Sequence, residues 1–239
     1  MSNKKENFII KWHHCFTNPF FFIRKGLSDA VKTQAPLLAG SVLDFGCGSK
    51  PYRQYFINAT SYTGIDIEVS GHDHKNEEID IYYDGKVIPM AANTFDHVFS
   101  TEVFEHIFNI DDVLPEIKRV LKPGGTLLIT CPFVWPEHEQ PYDFARYTSF
   151  GIKHVLEKHG FTIKEQIKTG NYFEVIIQQW MLFLFFFLPK RPALLYYIFH
   201  QLFILPNIML ASVFNLIAPR RMKRKDLFHN NVVLATRNA

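Results

Sequence analysis

Two groups of residues in this 239-residue chain have types and spacings that could do chemistry. The first is Asp44-Phe45-Gly46-Cys47-Gly48, at the end of the apolar run Val42-Leu43. An apolar run that breaks into Asp-x-Gly-x-Gly reads as a buried strand ending in a glycine turn, where main chain without Cβ atoms can close on a bound molecule. A second short run, Ser61-Tyr62-Thr63-Gly64-Ile65-Asp66, ends in an acid about twenty residues further on, the place from which a neighbouring strand delivers a carboxylate to a ribose diol. Asp66 is therefore the candidate ribose ligand. The second group lies in the stretch 134–148, where His138 stands among Glu137, Glu139 and Asp143 and is followed by Arg146 and Tyr147. A histidine beside carboxylates can move a proton. An arginine fork next to a tyrosine can grip a phosphate or a sugar acid, or can simply start a helix. His106 stands after another strand and could share the proton chemistry, or cap and pack.

The elements that must position these groups alternate along the chain. Strands near Ser41, Ser61, Ile79, Phe95 and Gly125 are separated by helical stretches, which implies right-handed parallel crossovers and a doubly wound α/β sheet. Ligands of such a sheet sit outside the carboxyl ends of its strands, where Gly46, Asp66, Asp84 and Ser100 all fall. A lead-in helix is expected over 18–35, with Asn18 as cap and Pro19 in the first turn. A further helix is expected over 149–159, stopped by Gly160, and a sixth strand over 161–169. A Rossmann dehydrogenase opens in the same way, but the third glycine of G-x-G-x-x-G is missing, because Gly46 and Gly48 are followed by Pro51.

The ordered set of signals resembles the class I S-adenosylmethionine-dependent methyltransferases of the type 11 kind, over about Ser41 to Phe161. It comprises the glycine turn, the acid Asp66, the loop Tyr83-Asp84-Gly85, the strand Phe95-Asp96-His97-Val98-Phe99-Ser100, the helix start Glu102-Val103-Phe104-Glu105-His106-Ile107 after it, and the next helix with its Lys122-Pro123-Gly124-Gly125 turn and apolar strand up to Ile129. The loop with His138, Asp143, Arg146 and Tyr147 resembles a subset of bacterial methyltransferases from surface-glycan clusters. The resemblance implies a seven-stranded Rossmann-like sheet with an antiparallel last strand, here 231–237, and S-adenosyl-L-methionine as cofactor. It implies that Asp44, Gly46, Cys47, Gly48, Asp66, Ile67, Asp84, Gly85, Ser100 and Glu102 hold that cofactor, Asp66 at the ribose and Asp84 at the adenine amino group. His138, and second His106, would then be the catalytic groups, and Asp143, Arg146 and Tyr147 the substrate-binding ones. Cys47 between its glycines reads as a small packing residue, not a nucleophile. His72, Asp73 and His74 read as a solvated loop, so no metal is expected.

Composition narrows the rest. A net charge of +3 is too mild for a nucleic-acid partner, and the only dense basic cluster is 220–225. Cys15, Cys47 and Cys131 have neither an even count nor metal spacing, so a reducing cytoplasm is expected, and the N-terminal apolar run is too short for a secretion signal. The chain divides into a lead-in region over 1–40, a cofactor-binding core over 41–170, an apolar helical insertion over 171–226 and the final strand over 227–239. The insertion is the chain's own signature: from Val175 to Pro219 its only formal charges are Lys190 and Arg191. Its second part, 192–219, is long enough to span a bilayer, and its first, 172–188, is marginal. Because strands six and seven must share one sheet, spans number zero or two. His200, Gln201, Pro206 and Asn207 favour a bent element, and the reading preferred here is helices lying in the membrane interface, anchored by the basic cluster. A soluble cap, a homodimer surface and two true spans are the alternatives. The function expected is O-methylation of a small-molecule, glycan or lipid-linked glycan acceptor by a cytoplasmic enzyme peripheral to the inner membrane. A lipid or quinone-type methyltransferase and a non-catalytic cofactor-binding membrane module are the other readings.

Overall fold

The computed structural model describes residues 10, 14, 18–68, 77–187 and 192–238. His72, Asp73 and His74, like Cys15, Lys190 and Arg191, lie outside the described residues. One seven-stranded sheet forms the centre, with β1 Gly40–Phe45, β2 Ala59–Ile67, β3 Ile81–Tyr83, β4 Phe95–Thr101, β5 Leu121–Pro132, β6 Phe161–Lys168 and β7 Asn230–Arg237 in the order β3-β2-β1-β4-β5-β7-β6. The first five strands pair in parallel, and β7 enters antiparallel between β5 and β6. Strand order therefore reverses between β1 and β4. The carboxyl end of β1 faces a crevice there, as in other open parallel sheets.

The central strands are apolar on both faces because both are covered. Helices α2 (Ile110–Val120) and α3 (Ser149–Lys158) pack Leu114, Ile117, Ile152 and Leu156 against Leu43, Val98 and Ile129. On the other face α1 (Phe21–Gln34) packs Leu27 and Val31 against Val42 and Phe99. Thr148 caps α3 by accepting from the Gly151 amide at 3.0 Å, and Gly160 ends it at a φ of 80°.

Three local expectations shift. The stretch after β4 is a tight turn over Phe104–His106, and the α-helix begins only at Ile110, where Asp111 and Asp112 suit the positive end of its dipole. The Lys122-Pro123-Gly124-Gly125 segment is carried inside β5 as an irregularity: pairing jumps from Phe95 opposite Leu121 to His97 opposite Thr126. The stretch 192–219, expected as a bent element, forms one helix, α5 (Ala193–Ile217), with Pro206 inside it.

The insertion between β6 and β7 consists of α4 (Tyr172–Phe187) and α5. Phe173 stacks on Phe214 with ring centroids 3.9 Å apart, and Ile177, Met181, Ile208 and Ala211 close a small core with Phe21 and Phe22 of α1. The opposite faces remain exposed, with Phe187, Leu194 and Leu216 prominent among them. Among the described residues one helix, Leu194–Ile217, is long and apolar enough to cross a membrane, whereas Tyr172–Phe187 is shorter.

Candidate functional site

The glycine turn follows β1 directly. Gly46 has a φ of 72°, and a Cβ there would stand 2.4 Å from Val103 Cγ2, so only glycine brings β1 this close to the segment after β4. Gly64 in β2 is under the same pressure, since a Cβ would lie 2.2 Å from Lys50 Cε and 2.6 Å from Cys47 Sγ. Asp66, at the end of β2, turns back to the glycine turn: its Oδ2 accepts from the Gly48 amide at 2.8 Å and its Oδ1 from the Ile67 amide at 2.8 Å. A carboxylate offers about four acceptor positions, two of which these amides take. Asp44 is buried. Its Oδ2 accepts from the Tyr62 hydroxyl at 2.6 Å, and its Oδ1 has no hydrogen-bond partner. Burial pushes its carboxyl up to about 7 against the pull of Tyr62 and Lys50.

Beside the turn opens a cavity of about 500 Å³. Gly46, Cys47, Gly48 and Ser49 form one wall, Thr101, Glu102, His138 and Glu139 another, and Ile23, Arg24 and Leu27 of α1 close it together with Trp135. A main-chain cradle with a buried, unpartnered carboxylate oxygen beside it suits a charged, nucleoside-bearing molecule, and S-adenosylmethionine fits that description.

At the far wall the loop 133–148 holds its side chains by binding them to one another. Asp143 is nearly buried, and its carboxylate takes Arg146 Nη1 at 2.5 Å and Nη2 at 2.6 Å. Its Oδ2 also accepts from the His138 amide at 2.9 Å and meets His138 Nδ1 at 3.2 Å. Burial works to raise the Asp143 carboxyl, but the bonds from Arg146 and the His138 amide outweigh it and hold it at about 2. An ionised acid only accepts, so His138 carries its proton on Nδ1 and leaves Nε2 as a bare electron pair. Burial, and next the neighbouring His106, keep this imidazole below its ordinary value and therefore neutral. The rings of His106 and His138 meet edge to face, with centroids 4.8 Å apart.

Residues 43–129 match the family described as a methyltransferase domain. This stretch is therefore a methyltransferase domain, similar to the class I S-adenosylmethionine-dependent methyltransferases. Human mitochondrial ubiquinone biosynthesis O-methyltransferase is 29% identical over 125 residues, 46% of this chain and 34% of that protein. Malonyl-[acyl-carrier protein] O-methyltransferase of Enterobacter lignolyticus is 28% identical over 114 residues, 45% of each. The chain thus spans a third to a half of the length of these relatives. Among solved structures, the [4+2]-cyclase SpnF superposes with a TM-score of 0.55 at 17% identity, covering 90% of this chain and 81% of that one. Haemonchus contortus phosphoethanolamine N-methyltransferase 2, in complex with S-adenosyl-L-methionine, superposes at 0.53 and 22%, covering 95% and 56%. At such identities these two show the fold alone.

Within the methyltransferase domain, Asp66, Ile67, Asp84 and Gly85 stand at the ends of β2 and β3, on the same edge of the sheet as the glycine turn but outside the lining of the cavity. Asp84 is exposed, and its Oδ1 accepts from the Lys86 and Val87 amides, bonds that hold its carboxyl below the usual range. Cys47 is buried, and burial pushes its thiol well up, as befits a packing residue. Ser100 is fully buried and donates to the Phe45 carbonyl at 2.9 Å, so it braces the glycine turn from below. Glu102 lines the cavity at a φ of 53°, tied to Thr130 Oγ1 at 2.8 Å and Asn230 Nδ2 at 2.6 Å; burial pushes its carboxyl up to about 7.

Two sequence expectations change at the histidine wall. Arg146 spends each of its five N–H groups inside the loop, on Trp135 O, Pro136 O, Ala145 O and both oxygens of Asp143. No donor is left to grip an acceptor, because the loop has no helix or strand ladder and needs those bonds to fold. Tyr147 packs against the main core, and its carbonyl accepts from Asn231 Nδ2 at 2.8 Å. Sequence reasoning missed Glu105, Trp135 and the α1 side chains of the cavity. For Glu105 the signal was there, an acid beside His106 three positions after Glu102.

Proposed function

We propose that this chain is an S-adenosylmethionine-dependent O-methyltransferase that acts on a small glycan or amphiphilic acceptor at a membrane surface. The observation that carries the reading is the cavity itself: its lining joins the glycine turn to His138, whose Nδ1 is engaged by Asp143. When bound, the cofactor supplies a methyl group on a sulfonium, open to in-line displacement by a nucleophile. The backbone of Gly46 to Ser49 would hold its methionine part, Asp66 the ribose and Asp84 the adenine. Asp143, fixed by Arg146, sets the tautomer and direction of His138. His138 then offers Nε2 to activate the acceptor hydroxyl, and the cover of α1 and Trp135 keeps water away from it.

Both curated relatives named above are O-methyltransferases, which supports an oxygen acceptor, and the ubiquinone one supports an amphiphilic or lipid-like acceptor. The membrane side of the reading is supported by the apolar outer faces of α4 and α5, followed by the basic residues Arg220, Arg221, Lys223, Arg224 and Lys225. Since β6 and β7 pair in one sheet and α4 is short, a helical pair lying in the interface suits the topology better than a single crossing. The test is release of S-adenosylhomocysteine in a panel of lipid-linked glycans, quinols and soluble phenols with lipid present. Turnover with a hydroxyl acceptor supports the reading, and cofactor binding without turnover on any hydroxyl would leave a binding module in its place.

A further inference from the structure

Several side chains at the acceptor wall stand together in a way that proton transfer by His138 alone does not explain. Donor atoms of Glu105, His106 and His138 lie within 4.8 Å of one another. His106 Nε2 is 3.8 Å from Glu105 Oε1 and 3.9 Å from Glu139 Oε2. In both imidazoles Nδ1 is the nitrogen already engaged: His106 donates it to the Tyr142 carbonyl at 2.7 Å and His138 donates its own to Asp143, which leaves Nε2 as the nitrogen an ion would take. Ligating histidines in metal sites are oriented this way, with the second ring nitrogen donating to a carbonyl or a carboxylate. Independently, Glu105 is fully buried and both of its carboxylate oxygens lack a hydrogen-bond partner. A carboxyl kept out of water without a partner is costly as a bare charge, and is relieved by a proton or by a cation in the proton's place.

We propose that Glu105, His106 and His138 bind one divalent ion of the zinc, manganese or iron class, with an open position on the cavity where the acceptor hydroxyl coordinates. The inference rests on the O-methyl-transfer reading and changes one step of it: with the ion in place His138 Nε2 is a ligand, and Glu139 takes the hydroxyl proton in its stead. Two imidazoles and one carboxylate suit borderline ions, and three protein ligands with an open site is the catalytic pattern; magnesium and calcium prefer all-oxygen shells. A tetrahedral ion about 2.1 Å from each donor sets the donors about 3.4 Å apart, so the wall must close by roughly an ångström. The Glu105–His106 pair is almost there at 3.8 Å. The remaining movement falls to His138, on the loop. His138 and Glu139 line the cavity, so the open position faces the acceptor. A hydroxyl bound to the ion is acidified: its O–H bond breaks, the electron pair stays on the coordinated oxygen, and the proton passes to the Glu139 carboxylate and on to solvent. No oxidant or reductant takes part.

The test is calorimetric titration of the full chain, stripped by a chelator, with zinc chloride and manganese chloride, and with magnesium chloride as the hard-ion comparison. One zinc or manganese ion per chain is expected, with affinity lowered 10²-fold or more in Glu105→Gln and in His106→Ala, and 10- to 100-fold in Asp143→Asn, which leaves the ligands but loosens His138. Each variant is first shown to bind S-adenosylhomocysteine as the parent does, which keeps loss of fold apart from loss of the site. X-ray absorption of the zinc-loaded parent should show two imidazoles. Binding that is absent, or undiminished in Glu105→Gln, or a spectrum without imidazole, overturns the ion site. Methyl transfer to a hydroxyl that survives excess chelator also overturns it, and leaves the O-methyltransferase reading standing.

Discussion

The two walls of the cavity are built by different means. On the glycine side the surface is main chain, and its shape follows from what is missing: no Cβ at Gly46, so β1 can pass against Val103. On the histidine side it is a network of side chains, Arg146 on Asp143, Asp143 on His138, and His106 on the Tyr142 carbonyl. A main-chain wall is fixed in shape, its Gly46, Cys47 and Gly48 amides already bound to Ile65 O and Asp66 Oδ2, and suits the part of a reaction that does not change from substrate to substrate. A side-chain network can be retuned by one substitution, and it suits the acceptor. The two walls should therefore fail separately.

The largest separate failure is expected on the histidine side. His138→Ala should lower turnover by about 10²- to 10⁴-fold, the range for loss of a positioned acid-base group, while cofactor affinity by calorimetry stays within about twofold. Parallel loss of both would mean that the two walls act as one. On the glycine side, Asp66→Ala removes a charged acceptor for two ribose hydroxyls, which should cost about 3 kcal/mol, on the order of 100-fold in cofactor affinity. A variant that binds as tightly as the parent would take Asp66 out of the site.

The difference between the walls also decides what could be read from sequence. The places of Asp44, Gly46, Gly48 and Asp66 were legible because a glycine turn and an acid at a strand end are local patterns, and the alternation of strands and helices carried the doubly wound parallel sheet with them. His138 was legible as a residue type among acids. The job of Arg146 was not, because an arginine that folds its own loop and one that grips a phosphate have the same neighbours in sequence. Glu105 stood in plain view beside His106, yet the loop whose Phe144 and Ala145 amides bind its carbonyl lies almost forty residues away, and its burial was not local information. That α5 stays one helix through Pro206 was not legible either: the proline removes one amide bond, but a long apolar helix packed by Phe214 and Ile208 on α4 and α1 tolerates that loss.

Smaller effects sharpen the comparison further. The working form of His138 is the neutral one, and burial and His106 lower its folded value beneath the ordinary 6.5. Activity should thus be lost only as pH falls through a value below 6.5, and the same lowering means that stability declines as the unfolded chain gains this proton first. A pH profile of kcat/KM whose acid limb lies above 6.5, or persists in His138→Ala, would assign the limb elsewhere. The smallest expected effect per residue concerns the insertion. Each basic residue from Arg220 to Lys225 should contribute about 1 kcal/mol to binding anionic vesicles, so neutralising the five should release the protein, more readily at high salt. Retention that only detergent breaks would indicate spanning helices, and no flotation of the parent would indicate a soluble cap or dimer surface.

The most direct measurement of the two-wall account is a crystal structure of the full chain with S-adenosylhomocysteine. The account predicts the ribose hydroxyls on the Asp66 carboxylate, the homocysteine part along Gly46 to Ser49, and the sulfur facing His138 across the cavity. A cofactor bound with its sulfur turned away from His138, or with its ribose off Asp66, would contradict it.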